Sequence, residues 1–227
     1  VKLRTSLMFC MTADKERPCT SFAVTSAKPS EGKSLTAANI AISYAMLGKK
    51  VLLIDADMRK PTQRRLWRVE KPTGLCDFLA KISKLELDKV KDLPLWIVCT
   101  GTIPPNPSEL LSSERMKHFV EESAKVYDYI IIDTPPINTV ADAQIVSTYV
   151  DGVVLVVKSG DTTQDELNEA IDAVRRAGGN LCGTVLNDLN MKSVKYAYKY
   201  KYGGKYGYKY SLSLIHISEP TRLALIS

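Results

Sequence analysis

At 227 residues, with 45% hydrophobic and 25% charged side chains, the chain is long enough for one domain with a substantial core and has the balance of a soluble globular protein. No apolar run approaches the roughly 18 to 20 residues that cross a bilayer. The formal net charge of +6 is unevenly placed: from Met191 onward Lys192, Lys195, Lys199, Lys201, Lys205, Lys209 and Arg222 face Glu219 alone, while residues 1–190 balance and offer no nucleic-acid face.

The chain does not start with Met and opens inside what reads as a helix over residues 1–8, so it is expected to continue upstream. The five cysteines (Cys10, Cys19, Cys76, Cys99, Cys182) form no CxxC pair and have no His cluster nearby, which predicts buried, reduced thiols in a cytoplasmic protein. "TSFAVTSA" (20–27) has the β-branched and aromatic content of a buried strand. "KSLTAANIAISYAML" (33–47) has helical periodicity and runs to Gly48, a stop signal. A strand "KVLLIDAD" (50–57), a mixed segment and a strand "LWIVCT" (95–100) follow. Ser108 is expected to cap a helix "ELLSSERMKHFVEESAK". "YDYIIIDTPP" (127–136), a helix, a strand "GVVLVVKS" (152–159), a helix "QDELNEAIDAVRRAG" and a strand "LCGTVLN" complete the alternation. Continuous apolar strands alternating with amphipathic helices predict an α/β fold with a mostly parallel sheet covered on both faces. Ligands bind such sheets beyond the carboxyl ends of the strands.

Chemistry-bearing residues fall at those ends. "AKPSEGKS" (27–34) matches the phosphate-loop pattern G-x-x-x-x-G-K-[ST] except that Ala27 replaces the first glycine. A strand, a loop and a helix N-terminus present amides to phosphate, a lysine and a Mg2+-binding hydroxyl. Lys28, Pro29, Ser30, Glu31, Gly32, Lys33, Ser34 and Leu35 therefore form the expected nucleotide cradle. The strand at 50–57 ends in "DADMR", whose Asp55 and Asp57, two residues apart, reach toward one crevice with Arg59 beside them. "IIIDTPP" ends an apolar strand in one carboxylate, Asp133, where a phosphate-loop ATPase holds its metal shell. ATP and Mg2+ are the expected cofactors. Asn187 reads either as an adenine contact or as an ordinary turn residue. His118 and Trp67 receive no role.

Phosphate loop, "VLLIDADMRKP" and "YDYIIIDTPP" together resemble the bacterial tyrosine kinases that control capsular and exopolysaccharide synthesis. "LRTSLMF" (3–9), "PPNPSELLSS" (104–113) and "DTPPINTVADA" extend the resemblance over roughly residues 1–210. It departs from the family at Ser30, where glycine is usual. The resemblance implies that Lys33 and the loop amides hold the β- and γ-phosphates and that Ser34 ligates Mg2+. It also implies that Asp57 and Asp133 position the metal, and that Asp55 takes the proton of an attacking phenol, with Asp55 and Asp57 able to exchange roles. Arg4 would take part in contacts of a ring-like homo-oligomer.

Seven of the 11 tyrosines lie in "YAYKYKYGGKYGYKY" (196–210). As a strand this tract would alternate with lysine and be broken by three glycines; as a nucleic-acid clasp it would have no support from the neutral body. After a kinase domain at 1–190 it resembles the family's C-terminal cluster, with Tyr196, Tyr198, Tyr200, Tyr202, Tyr206, Tyr208 and Tyr210 as acceptors phosphorylated in trans. "LSLIHISEPTR" resembles the translation of a sequencing adapter, so residues 211–227 are expected to be foreign to the protein. The family's partners are the cytoplasmic segment of a membrane adaptor or polysaccharide co-polymerase, which would recruit the kinase to the inner face of the membrane, and a cognate tyrosine phosphatase. The rival reading is a partitioning or septum-positioning ATPase: Lys28 stands at that group's signature lysine, but Pro29 and Ser30 replace the glycines that follow it.

Overall fold

A computed structural model describes residues 2–10 and 19–189; the tyrosine tract and residues 211–227 lie outside the described residues. The chain runs α1 (Lys2–Cys10), β1 (Thr20–Ser26), α2 (Lys33–Ala45), β2 (Val51–Asp55), α3 (Gln63–Trp67), α4 (Leu75–Leu79), β3 (Asp88–Lys89) and β4 (Leu95–Val98). It continues through α5 (Pro107–Ser112), α6 (Glu114–Ala124), β5 (Tyr129–Asp133), α7 (Asp142–Ser147), β6 (Gly152–Lys158), α8 (Gln164–Arg176) and β7 (Leu181–Asn187). Every predicted strand is present, each within a few residues of its expected ends.

The strands form one seven-stranded sheet in the order β3-β4-β2-β5-β1-β6-β7, parallel throughout except for the short edge strand β3, which runs antiparallel to β4. β1 lies between β5 and β6, and β2 lies between β4 and β5. Side chains alternate across the sheet. Phe22, Val24, Val51 and Leu53 face a core with α1 and α2, while Ala23, Leu52 and Ile54 face a second core with α4 to α8. Both faces are dry, which is why these strands read as unbroken apolar runs. Tyr44 of α2 stacks on Tyr129 of β5 at 3.8 Å between ring centroids, fixing the first helix layer over the middle of the sheet.

One predicted helix is two. Ser113, with extended backbone, interrupts the run at 107–124: its hydroxyl accepts the Met116 N–H and so caps α6, while α5 starts about two turns earlier, at Pro107 behind Asn106. Ser108 therefore caps nothing; it lies inside α5 and its hydroxyl donates to Asp142 at 2.5 Å. Cys19, Cys76 and Cys99 are buried free thiols whose burial raises their pKa to about 12, whereas Cys182 is half-exposed. No helix among the described residues is long and apolar enough to cross a membrane.

Candidate active site

The loop between β1 and α2 wraps over the carboxyl end of the sheet because its backbone adopts two left-handed residues, Ser30 (φ 67°) and Gly32 (φ 90°). Gly32 cannot be replaced freely. A Cβ there would meet the Asn187 amide nitrogen at 2.2 Å, on a backbone that L-residues rarely adopt. Asn187, at the end of β7, donates that amide to the Glu31 carbonyl at 3.0 Å, so it braces the loop from behind. The buried Glu31 carboxylate turns inward, accepting the Lys28 N–H at 2.8 Å and the Thr162 hydroxyl. The Lys28 ammonium donates to the Asp161 carbonyl at 2.8 Å and to Glu166 at 3.2 Å, so its side chain is turned toward the N-terminus of α8.

Lys33 and Ser34 open α2 beneath this loop. The Lys33 ammonium donates to Asp57 Oδ2 at 2.7 Å and to the Ser34 hydroxyl at 3.2 Å, and stands 3.5 Å from Asp133 Oδ1. Burial opposes its charge, but Asp133 and Asp57 outweigh that and raise its pKa, so it remains a cation. Two of its three N–H groups are committed, which leaves one for a phosphate oxygen. Asp57 Oδ1 accepts the Lys60 N–H at 3.0 Å, shaping the turn that follows β2.

β2 and β5 are in register with Asp55 opposite Asp133, so the two carboxylates end adjacent strands side by side. Both are completely buried. Burial first, then the Asp133 charge, raises the pKa of Asp55 to about 8, against the pull of the Gln63 N–H and of Lys33. Asp133 is raised for the same first reason, with Lys33 and the Gln63 amide opposing. Asp55 Oδ2 accepts the N–H groups of Thr62 (3.1 Å) and Gln63 (2.9 Å) at the start of α3, and Asp133 Oδ2 accepts the Gln63 carboxamide at 2.8 Å. Asp55 Oδ1 and Asp133 Oδ1 are buried and accept no hydrogen bond. Asp133 Oδ1, buried, without a hydrogen bond and 3.5 Å from the Lys33 ammonium, lies beside a serine hydroxyl and a phosphate-type loop, a setting that fits a hard divalent cation. Among the described residues no three His, Cys, Asp or Glu side chains gather into a cage.

Arg59 binds a second layer together. It donates to both oxygens of the buried Asp142 at 2.9 and 3.2 Å and to the Ser108 hydroxyl at 3.3 Å, tying the β2 loop to α5 and α7. Sequence reading missed Gln63, Thr62, Ser108 and Asp142 as parts of the site. Thr62, whose hydroxyl lies 3.0 Å from that of Ser34, follows the β2 motif closely enough to have been included. Gln63 carries no such signal. Arg4 lies apart from the site and donates to the Ser43 carbonyl of α2 at 2.9 Å.

Residues 20–181 match the family model described as "AAA domain". The chain is 43% identical over 199 residues to the tyrosine-protein kinase YwqD of Bacillus subtilis, an alignment covering 86% of this chain and 83% of that protein. The solved kinase domain of the Escherichia coli tyrosine kinase ETK superposes with a TM-score of 0.79 at 32% identity, over 92% of this chain and 78% of that one. MinD in the MinC:MinD cell division complex of Aquifex aeolicus is less similar, with a TM-score of 0.66 at 26% identity over 78% and 72%.

Proposed function

The chain belongs to the bacterial tyrosine-protein kinases of the AAA-domain type, and on that premise we propose that it moves the γ-phosphoryl group of ATP onto tyrosines of its own C-terminal tract, acting in trans between copies. The observation that carries this is the convergence of Lys33, Ser34, Asp55, Asp57 and Asp133 on one crevice at the carboxyl ends of β1, β2 and β5. The loop amides of residues 28–35 and the Lys33 ammonium bind the β- and γ-phosphates. Ser34, Asp57 and Asp133 would hold Mg2+, which neutralises phosphate charge as the bond to the γ-phosphorus breaks. Asp55 presents Oδ1 as the base. A phenol has a pKa near 10, and burial and the Asp133 charge raise the Asp55 carboxyl toward it from the ordinary aspartate range. The phenol proton passes to Asp55 Oδ1, the phenol oxygen bonds to the γ-phosphorus, and the bond from that phosphorus to the β–γ bridging oxygen breaks, so that oxygen leaves with ADP.

Asn187 supports the cradle by holding the Glu31 carbonyl, which is compatible with an additional contact to the base of the nucleotide. In this reading Arg4 and α1 serve contacts between copies, a membrane adaptor's cytoplasmic segment activates the kinase at the inner membrane face, a phosphatase reverses the modification, and the output is polysaccharide synthesis and export. The positioning-ATPase alternative loses support at Lys28, whose ammonium is engaged within the chain by Glu166 and Asp161.

The test is phosphate mapping. Protein ending at Tyr210, incubated with ATP, Mg2+ and the adaptor segment, is expected to carry phosphate on Tyr196 to Tyr210, and the Lys33→Met variant none. ATP hydrolysis without phosphotyrosine would return the positioning ATPase as the better reading.

A further inference from the structure

Gln63 is completely buried at the first position of α3, with its main-chain N–H and its whole carboxamide hydrogen-bonded. Its main-chain N–H goes to Asp55 Oδ2 at 2.9 Å. Its carboxamide nitrogen donates one hydrogen to the Ser34 carbonyl at 3.0 Å and one to Asp133 Oδ2 at 2.8 Å. Its carboxamide oxygen accepts the indole N–H of Trp67, one turn further along the same helix, at 2.9 Å. An amide can be flipped end for end, but these partners allow one orientation only. The indole can only donate, while a carbonyl and a carboxylate can only accept.

The consequence falls on the two acids. Oδ2 of Asp133 is tied to the Gln63 carboxamide, and Oδ2 of Asp55 to the main-chain N–H groups of Gln63 and Thr62, so each carboxylate is held by one oxygen and leaves Oδ1 without a hydrogen bond. We propose that the Gln63 side chain is a positioning residue for the phosphoryl transfer: its carboxamide holds Asp133 by Oδ2 and leaves Oδ1, beside the Lys33 ammonium, available to a divalent cation, and Trp67 in turn holds Gln63. The inference rests on the reading of Ser34 and Asp133 as the Mg2+ side of the site. It also makes Trp67 a reporter, since its N–H is two hydrogen bonds from the metal ligand.

The test uses ADP as ligand and the full chain, with Gln63→Met, which keeps side-chain length without polar atoms, and Trp67→Phe, which keeps a ring without the N–H. Calorimetric titration of ADP without Mg2+ is expected to stay within about twofold of wild type. The Mg2+ concentration for half-saturation at fixed ADP is expected to rise roughly tenfold in Gln63→Met, the usual scale for losing a hydrogen bond behind a metal ligand. In Trp67→Phe it rises several-fold. The protein has two tryptophans, so a Trp96→Phe background isolates Trp67. Its emission should change on adding ADP with Mg2+, not ADP with EDTA, and the change should vanish when Gln63→Met is added. Wild-type Mg2+ dependence in folded Gln63→Met overturns the proposal. If that variant does not fold, wild-type Mg2+ dependence in Trp67→Phe overturns it. Wild-type protein that binds ADP with no Mg2+ dependence removes the reading of the site itself, and the proposal with it.

Discussion

Two neighbouring residues of the phosphate loop solve the same backbone problem differently. Gly32 needs its missing Cβ both for its left-handed φ and for the Asn187 amide that would otherwise be 2.2 Å away. Gly32→Ala must push Asn187 off the Glu31 carbonyl, so ATP affinity measured by calorimetry should fall more than roughly tenfold, a cost on the order of 1.4 kcal/mol or above. Affinity within twofold of wild type would show that the loop tolerates the shift. Ser30 adopts a left-handed φ without being glycine, at a cost of about 1 kcal/mol. Ser30→Gly relieves that strain but loosens the unfolded chain by a comparable amount. The expected melting order is therefore Gly at or slightly above Ser, with Ser30→Val lower by about 1 kcal/mol or more because a β-branched side chain resists this backbone. A Val variant that melts with wild type would contradict the strain assignment.

At the scale of elements, caps decide where helices begin. Thr163 and Glu166 form a reciprocal capping box on α8, and Glu166 also holds Lys28. Thr163→Ala should cost about 1 kcal/mol in urea unfolding. Asp77 plays the equivalent part within the first turn of α4, where its Oδ2 accepts the N–H groups of Gly74 (2.9 Å) and Thr102 (3.1 Å). Burial alone would raise its pKa, but these donors outweigh it and the pKa is lowered. A carboxylate with a depressed folded pKa contributes stability above its unfolded value, near 3.9, and loses it as pH falls through the folded value. Asp77→Asn should therefore destabilise at pH 7, and the difference should shrink as pH falls below the unfolded value. An equal loss on both sides of that value would mean that shape, not charge, is what matters.

The same elements show what a sequence can carry. β1, β2, β5 and β6 were legible because they are buried on both faces, and for β2 and β5, which end in Asp55 and Asp133, and β1, which runs into the phosphate loop, pattern and motif agreed. The stretch from Lys60 to Pro94 was not, because α3, α4 and β3 have five, five and two residues, too few to establish a period. Ser108 misled because it precedes a helical pattern, while Ser113 inside that pattern does the capping. Gln63 was invisible for a different reason: one glutamine in "RKPTQRRLW" acquires its meaning only when Asp133, 70 positions later, is brought beside it.

Over the whole molecule, charge separates a neutral body from a basic C-terminal stretch of +6. Each phosphotyrosine adds about −1.5 to −2 charges, so modifying all seven would carry that stretch to roughly −5 to −8. A tract that begins attracted to the acidic, nucleotide-filled crevice would end repelled by it, and an assembly held by tail-to-site contacts should come apart. Light scattering of unmodified and fully phosphorylated protein at low salt measures this directly; an unchanged assembly mass would refute it.

The strand order also dictates a timetable. β1 pairs with β5 and β6 rather than with its neighbour in sequence, and its partner residues in β5 lie more than 100 positions downstream. On a ribosome adding about 5 to 20 residues per second, the first strand therefore waits several seconds or longer with neither edge satisfied. The phosphate loop, which depends on that strand and on Asn187 at the end of β7, is completed last. A nascent chain therefore has every support of the phosphate loop only once nearly the whole domain has emerged.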